Sequence, residues 1–305
     1  MSAVSSQGQI RGHLAAFFTI FVWGITFIST KLLMVSFTPV EIMFFRLFLA
    51  ALALILISPP RLTGFKLDRQ ALKSELRVML AGLCGVTLFF LLQNLALAYT
   101  LTANVSVLLS VAPLFTALVS RLLLGDKLKT NFFIGFSAAM LGIILIAFNG
   151  SLVLKLNPLG DLLSLLAALS WAFYSVVVKQ IDPQPDAMVA LTRKVFTYGL
   201  LFTLPVLPLF DFRLGLARLA DWSNLLNLLF LGVVASALCF LTWNYAVHIL
   251  GPVKTSAYIY VVPVITIIAS ALLLHEPITL VASIGVALIL AGMALTEREQ
   301  RAGKQ

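Results

Sequence analysis

The chain has 305 residues, 61% of them hydrophobic and 11% charged, with 21 Lys and Arg against 12 Asp and Glu for a net charge of +9. Soluble domains are about one quarter charged, and the mean hydropathy here is +1.05, so a water-surrounded globule is excluded. The surplus cations come without a basic helix, zinc-knuckle spacing or basic-aromatic interleaving, so they argue against a nucleic-acid partner and for loops lying on an anionic lipid leaflet.

Ten apolar runs of near-spanning length follow one another, at about 14–34, 40–58, 76–98, 102–123, 131–149, 159–179, 188–210, 223–244, 252–273 and 278–296. Each approaches the roughly 20 residues that cross the hydrocarbon as a helix. The runs are continuously apolar instead of alternating, which excludes a barrel. The expected fold is therefore all-α and polytopic, with ten transmembrane helices and the lipid bilayer as its main partner.

Span one follows a short polar stretch ending near Arg11 and is longer than a secretory h-region, so it reads as retained. It carries FVWGITFISTKLL, with Trp23 at its centre and Lys31 near its end. Span two opens as TPVEIMFFR and holds Arg46 inside the membrane. That arginine either engages a substrate carboxylate or a helix-end carbonyl, or anchors the span by snorkelling. Span three carries Gln93 and Asn94, whose amides need partners in lipid, on another helix or on a substrate. The short link from Tyr99 to Thr102 makes a tight hairpin with span four, where Pro113 lies mid-span and predicts a kink. Asp126 then precedes span five and reads as a cap on that helix.

Span six carries LSWAFYSVVVKQI, with Trp171, Tyr174 and Lys179. Span seven has Arg193 near its start, and span eight ends in Trp243-Asn244-Tyr245. Gly251-Pro252 suits a loop-to-helix start, after which span nine holds Tyr258 and a second mid-span proline, Pro263. Glu276 before span ten matches Asp126 and reads as a cap likewise. Cys84 and Cys239 both lie within apolar runs and read as buried small hydrophobes.

The two halves repeat. Gly82 and Gly232, Asn94 and Asn244, Pro113 and Pro263, Asp126 and Glu276, Gly135 and Gly285, and Gly142 and Gly292 are all 150 residues apart. Nearer the start the offset is 148, pairing Trp23 with Trp171 and Lys31 with Lys179, and Arg193 follows Arg46 by 147. Five spans per repeat force the second repeat into the membrane upside down, the plan of many secondary transporters. The repeats are expected at 12–149 and 159–296. Lys31 and Lys179 would then sit at opposite faces, where each is a candidate gate.

Orientation follows from the cations. With the N-terminus inside, the inner segments hold Arg11; Arg61, Lys66, Arg69, Lys73, Arg77; Arg121, Lys127, Lys129; Lys179; Lys254; and Arg298, Arg301, Lys304. The outer ends hold only Lys31, Lys155, Arg213 and Arg218. Both termini are thus expected in the cytoplasm, in a cell inner membrane. Histidines occur only as His13, His248 and His275, away from span centres, and no H-E-x-x-H or G-x-S-x-G is present, so an enzyme is not expected. No G-x-x-x-x-G-K-[ST] occurs, and neither a cofactor nor a metal is expected.

WGITFISTK, TPVEIMFFR, LLSVAPLFTALVSRLLLGDKL, LSWAFYSVVVK and YIYVVPVITIIASALLLHEPIT together resemble the drug/metabolite transporter superfamily, in its ten-span EamA-type branch. The resemblance spans roughly 12–296. It implies two inverted five-helix repeats, a central substrate cavity and export of small metabolites, often amino acids, with uptake or exchange in other branches. Some relatives resemble exporters of aromatic amino acids and cationic drugs. The expected cavity residues are Trp23, Gln93, Asn94, Trp171, Tyr174, Trp243, Asn244 and Tyr258. The coupling ion is left open, and a carrier of organic cations or a non-transporting scaffold or receptor remain the alternatives.

Overall fold

The computed structural model describes residues 6–60, 69–100, 105, 108–126, 128, 130–148, 157–181, 187–210, 212–274 and 280–302. Helix α1 runs Ser6–Leu33 and α2 runs Pro39–Ile57. Next, α3 (Arg69–Gly82) continues through a π-helical segment, Leu83–Leu88, into α4 (Phe89–Tyr99). Helices α5 (Ala112–Leu124) and α6 (Thr130–Phe148) complete the first half. The second half has α7 (Pro158–Gln180), α8 (Met188–Thr203) and α9 (Trp222–Leu229), the last leading through a π segment, Phe230–Leu238, into α10 (Cys239–Leu250). It ends with α11 (Pro252–Ser256), a 3-10 turn at Ala257–Val261, α12 (Val262–Leu274) and α13 (Leu280–Ala302).

The described residues include five helices long and apolar enough to span a bilayer: Gln7–Thr30, Pro39–Ile57, Ala71–Tyr99, Pro158–Gln180 and Trp222–Leu250. Shorter apolar helices cover Ala112–Leu124, Thr130–Leu145 and Ser283–Leu295. Large apolar side chains point outward around the bundle, Leu122 with 81% of its surface exposed. Such a surface is stable only against lipid. The protein is an all-α polytopic membrane protein.

Local chemistry explains the helix ends. Thr38 caps α2 reciprocally with Glu41: the Glu41 N–H donates to Thr38 Oγ1 at 3.3 Å, and the Thr38 N–H donates to Glu41 Oε2 at 2.8 Å. Asn157 and Asp221 cap α7 and α9. Gly251, at φ +89°, lets the chain reverse between α10 and α11.

Two expectations change in detail. Span seven ends as a helix at Thr203 and not at residue 210, because Pro205 and Pro208 turn the chain into a 3-10 segment. Pro113 and Pro263 do not kink continuous helices. Each lies in the first turn of a new helix, α5 or α12, after the span has been interrupted. A proline is tolerated there because its missing N–H falls among groups with no intrahelical partner. Ser120, on the preceding helix, donates to the Asp126 carboxylate. Glu276 lies outside the described residues.

The halves meet around their helix pairs in an inverted arrangement. A Cβ on Gly142 of α6 would overlap the Gly285 carbonyl of α13, and one on Gly292 would lie 2.5 Å from the Gly135 carbonyl. Advancing along one helix thus means retreating along the other, so α6 and α13, equivalent in sequence, cross antiparallel and in backbone contact. The same exchange recurs elsewhere. A Cβ on Gly82 would lie 2.8 Å from the Val195 carbonyl of α8, and one on Gly232 would lie 2.5 Å from Leu49 Cβ of α2. Each half offers its glycine to the other half's second helix, as a two-fold axis in the membrane plane requires.

Candidate functional site

Aromatic twins meet at the axis. Trp23 of α1 and Trp171 of α7 stand edge to face with centroids 5.1 Å apart. Phe90 of α4 and Phe240 of α10, which are 150 residues apart, lie 6.1 Å from each other. Trp171 also contacts Phe240 at 5.6 Å and Phe89 at 4.8 Å. Offset and edge-to-face pairs of this kind are favourable beyond the area they bury.

These rings bound a cavity of about 90 Å³, lined by Trp23, Thr26, Phe27, Arg46, Phe89, Phe90, Gln93, Leu109, Ser110, Ala112, Trp171, Phe240, Ile259 and Val262. Ala112 and Val262 are the first residues of α5 and α12, so the interruptions in spans four and nine both open onto this space. Helix breaks at matched positions of two inverted halves are where transporters expose backbone to a ligand.

Arg46 is the one charged residue in that lining among the described residues. It is 7% exposed. Its Nε donates to Ser236 Oγ at 2.6 Å, and its guanidinium lies 4.2 Å from the centroid of the Phe90 ring. Ser236 belongs to the π segment Phe230–Leu238. The terminal nitrogens of Arg46 have no hydrogen-bond acceptor among the described residues. The Gln93 side chain likewise has no protein hydrogen-bond partner among them.

Of the residues singled out in the sequence, Trp23, Gln93, Trp171 and Arg46 come together in this lining. The others lie elsewhere. Asn94 donates to the Pro39 carbonyl at 2.9 Å and ties α4 to the start of α2. Tyr174 donates to Asn244 Oδ1 at 2.6 Å, and Asn244 Nδ2 donates to Thr192 Oγ1 at 3.0 Å, a satisfied chain across α7, α10 and α8. Trp243 is fully buried. Tyr258 bonds His13 Nδ1 at 2.6 Å. Lys179 donates to the His248 carbonyl, and Arg193 donates to the Ser58 carbonyl at the end of α2. The Lys31 side chain lies outside the described residues. Phe89, Phe90, Phe240 and Ser236 are site residues that sequence reasoning passed over. The Phe90–Phe240 pair stood in the same 150-residue register as the glycines and could have been found there.

The cavity sits nearer the face where α1 ends and α2 begins. Toward the opposite face the helices are cross-tied. There Lys179 joins α7 to α10, Arg193 joins α8 to α2, and Arg77 donates to the Gln180 carbonyl at 3.2 Å. Glu75 accepts from Lys194 and from Tyr198, each at 2.6 Å. On the cavity's own face, Glu41 accepts from both terminal nitrogens of Arg218, at 2.8 and 3.1 Å, and from the Arg213 N–H at 3.1 Å. This clamps the 204–221 segment to the start of α2.

A helical bundle of two inverted halves enclosing an aromatic cavity at a helix break defines a membrane carrier. The chain belongs to the EamA-like transporter family, whose sequence model matches residues 10–148 and 158–298. It is a small-molecule transporter of the drug/metabolite superfamily and not an enzyme. An uncharacterized transporter of Archaeoglobus fulgidus is 27% identical, with 95% of this chain and 98% of that protein covered. YvbV of Bacillus subtilis, also an uncharacterized transporter, is 27% identical over 97% of this chain and 94% of its own. A probable terminal-alkyne amino-acid exporter of Streptantibioticus cattleyicolor is 24% identical, covering 92% and 91%. A solved crystal structure matches with a TM-score of 0.73 at 19% identity, over 96% of this chain and 99% of that one, which shows the shared fold.

Proposed function

We propose that this protein is a secondary transporter that exports small metabolites, foremost amino acids with apolar or aromatic side chains, by alternating access. The single observation that carries the reading is the aromatic cavity at the junction of the two halves, bordered by both helix breaks and by one buried arginine. The amino-acid assignment draws support from the exporter of Streptantibioticus cattleyicolor among its relatives. The repeats, 12–149 and 159–296, are the bodies that rock, with glycine-mediated crossings between them as bearings. Both termini lie in the cytoplasm of an inner membrane, so the cavity in this conformation is displaced toward the outer face, and the Lys179, Arg193 and Glu75 ties close the cytoplasmic side. Lys179 acts as a gate there by holding α7 to α10. Coupling to a proton or another ion gradient is tested together with the substrate.

The test is flux in proteoliposomes. Labelled phenylalanine, leucine, a purine and a quaternary ammonium ion are each presented with and without a pH gradient. Saturable movement of the amino acids that exceeds the leak of protein-free vesicles is the expected result. Flux of none of the four from vesicles containing monodisperse protein would refute the reading.

A further inference from the structure

We propose that the cavity selects its ligand by negative charge. Arg46 holds the carboxylate of a ligand whose apolar or aromatic body fills the ring-lined space, so amino acids are held through their carboxylate, their monocarboxylate analogues bind better still, and amines are rejected. This rests on the transport reading for its setting, and it adds a charge rule that the fold alone does not imply.

The argument starts from an unmatched charge. Arg46 is 7% exposed, and an arginine does not escape burial by losing its proton. A buried cation left without an anion is costly unless something completes it. The Ser236 hydroxyl takes only Nε, and the Phe90 face takes one side of the guanidinium plane. The two terminal nitrogens, which together form a fork matched to a carboxylate, have no acceptor among the described residues, and Arg46 lines the cavity.

No acid among the described residues completes it. Glu41 is the acid nearest in sequence, and both its oxygens are occupied, Oε2 by Arg218 and the Thr38 N–H, Oε1 by Arg218 and the Arg213 N–H. None of the cavity's lining residues is Asp or Glu. A ligand's ammonium group would find neutral acceptors, the Gln93 amide oxygen and the Thr26 and Ser110 hydroxyls, and ring faces, beside a fixed positive charge. The helix starts at Ala112 and Val262 border the same space, and the positive ends of their dipoles act in the same direction.

The experiment uses three probes with one body: 3-phenylpropionate, phenylalanine and phenethylamine. Binding to the purified full chain is followed by quenching of tryptophan fluorescence, since Trp23 and Trp171 line the cavity. Flux is measured in parallel in proteoliposomes. The wild-type order expected is carboxylate first, zwitterion second, amine last, and this comparison needs no variant to fold. Replacing the guanidinium in Arg46→Gln should weaken phenylpropionate binding by roughly 10- to 100-fold, the worth of a charge-assisted hydrogen bond, and leave the amine no worse. Arg46→Lys should recover part of the loss.

Amine binding as tight as that of the carboxylate in the wild type overturns the charge rule and leaves the transport reading standing. So does unchanged phenylpropionate affinity in Arg46→Gln. Binding in the expected order without flux of any probe upholds the anion site and overturns transport. No binding and no flux overturns both.

Discussion

On the axis between the two halves, equivalent residues touch each other. Trp23 meets Trp171, Phe90 faces Phe240, and the glycines of α6 and α13 interlock. Away from the axis, equivalence in sequence no longer means equivalence in surroundings. Arg46 is buried at the cavity and bound to a side chain of the opposite half, whereas its counterpart Arg193 is half-buried and donates to the Ser58 carbonyl at a helix end. The contrast teaches where an inverted repeat can acquire function. A residue on the axis is constrained by its own twin, so one half cannot change there without the other. A residue off the axis is free to diverge, and the one charge in the cavity lining is of that kind.

The sharpest way to break this contrast is to neutralise both arginines separately. Arg46→Gln should reduce transport efficiency by roughly 10- to 100-fold, because a charged hydrogen-bonding group is lost from the lining. Arg193→Gln should change it by about two-fold or less, as for a substitution outside such a site. The check is initial-rate flux at matched protein density. Equal losses in both variants would mean that the arginines share a role and that the divergence is only geometric.

The axis itself makes the opposite forecast, of equal effects. Gly142→Val and Gly292→Val each force a side chain into the opposing backbone, and each should cost about 1–3 kcal/mol of stability as overpacking does. Thermal melting followed by size-exclusion chromatography reads both. A large loss in one variant with none in the other would show that the α6–α13 crossing is not symmetric.

Much of this was legible in the chain, and what was not has a physical reason. Apolar run length and the constant 150-residue offset report the spans and the inversion, because both follow from the bilayer and from parity. The adjacent amides Gln93 and Asn94 could not be told apart. They differ by about 100° around a helix, and which one faces the cavity depends on how the helix is rotated against its neighbours. Pro113 and Pro263 fit a kink and a helix start equally well, since proline disfavours helix before it and tolerates the first turn. The π segments at Leu83–Leu88 and Phe230–Leu238 occupy overlapping repeat positions, yet no residue type marks them in advance. The Glu41–Arg218 clamp joins residues 177 apart and needed the fold to be seen.

That clamp also separates the halves, since the position 147 residues after Glu41 is Met188 and carries no charge. Glu41→Gln preserves the helix cap, which accepts either residue, and removes the ion pair. Arg218 keeps 29% of its side chain exposed, which discounts the effect, so the expected loss is about 1–2 kcal/mol. A melt shows it directly. A variant that melts like the wild type would mean that the 204–221 segment is held by its apolar contacts and not by this pair.

The smallest and most discriminating comparison is on the axis, between Trp23 and Trp171. Their rings are alike in type and setting, but their N–H groups are not. Trp23 Nε1 donates to the Ala235 carbonyl at 2.9 Å, while Trp171 Nε1 is buried without a partner among the described residues. Replacing either with phenylalanine removes the same volume, so the difference between the two variants isolates the hydrogen bond. Trp23→Phe should be the less stable by about 1 kcal/mol, the net worth of one such bond. Trp171→Phe removes a buried donor that nothing in the described protein satisfies, so it should lose only the packing of the removed ring, a loss both variants share. If that N–H is held in reserve for a ligand, Trp171→Phe will in addition weaken phenylpropionate binding more than Trp23→Phe does. Loss of stability in Trp171→Phe equal to that in Trp23→Phe would mean that the two tryptophans are equivalent after all, and that the axis imposes its symmetry down to single hydrogen bonds.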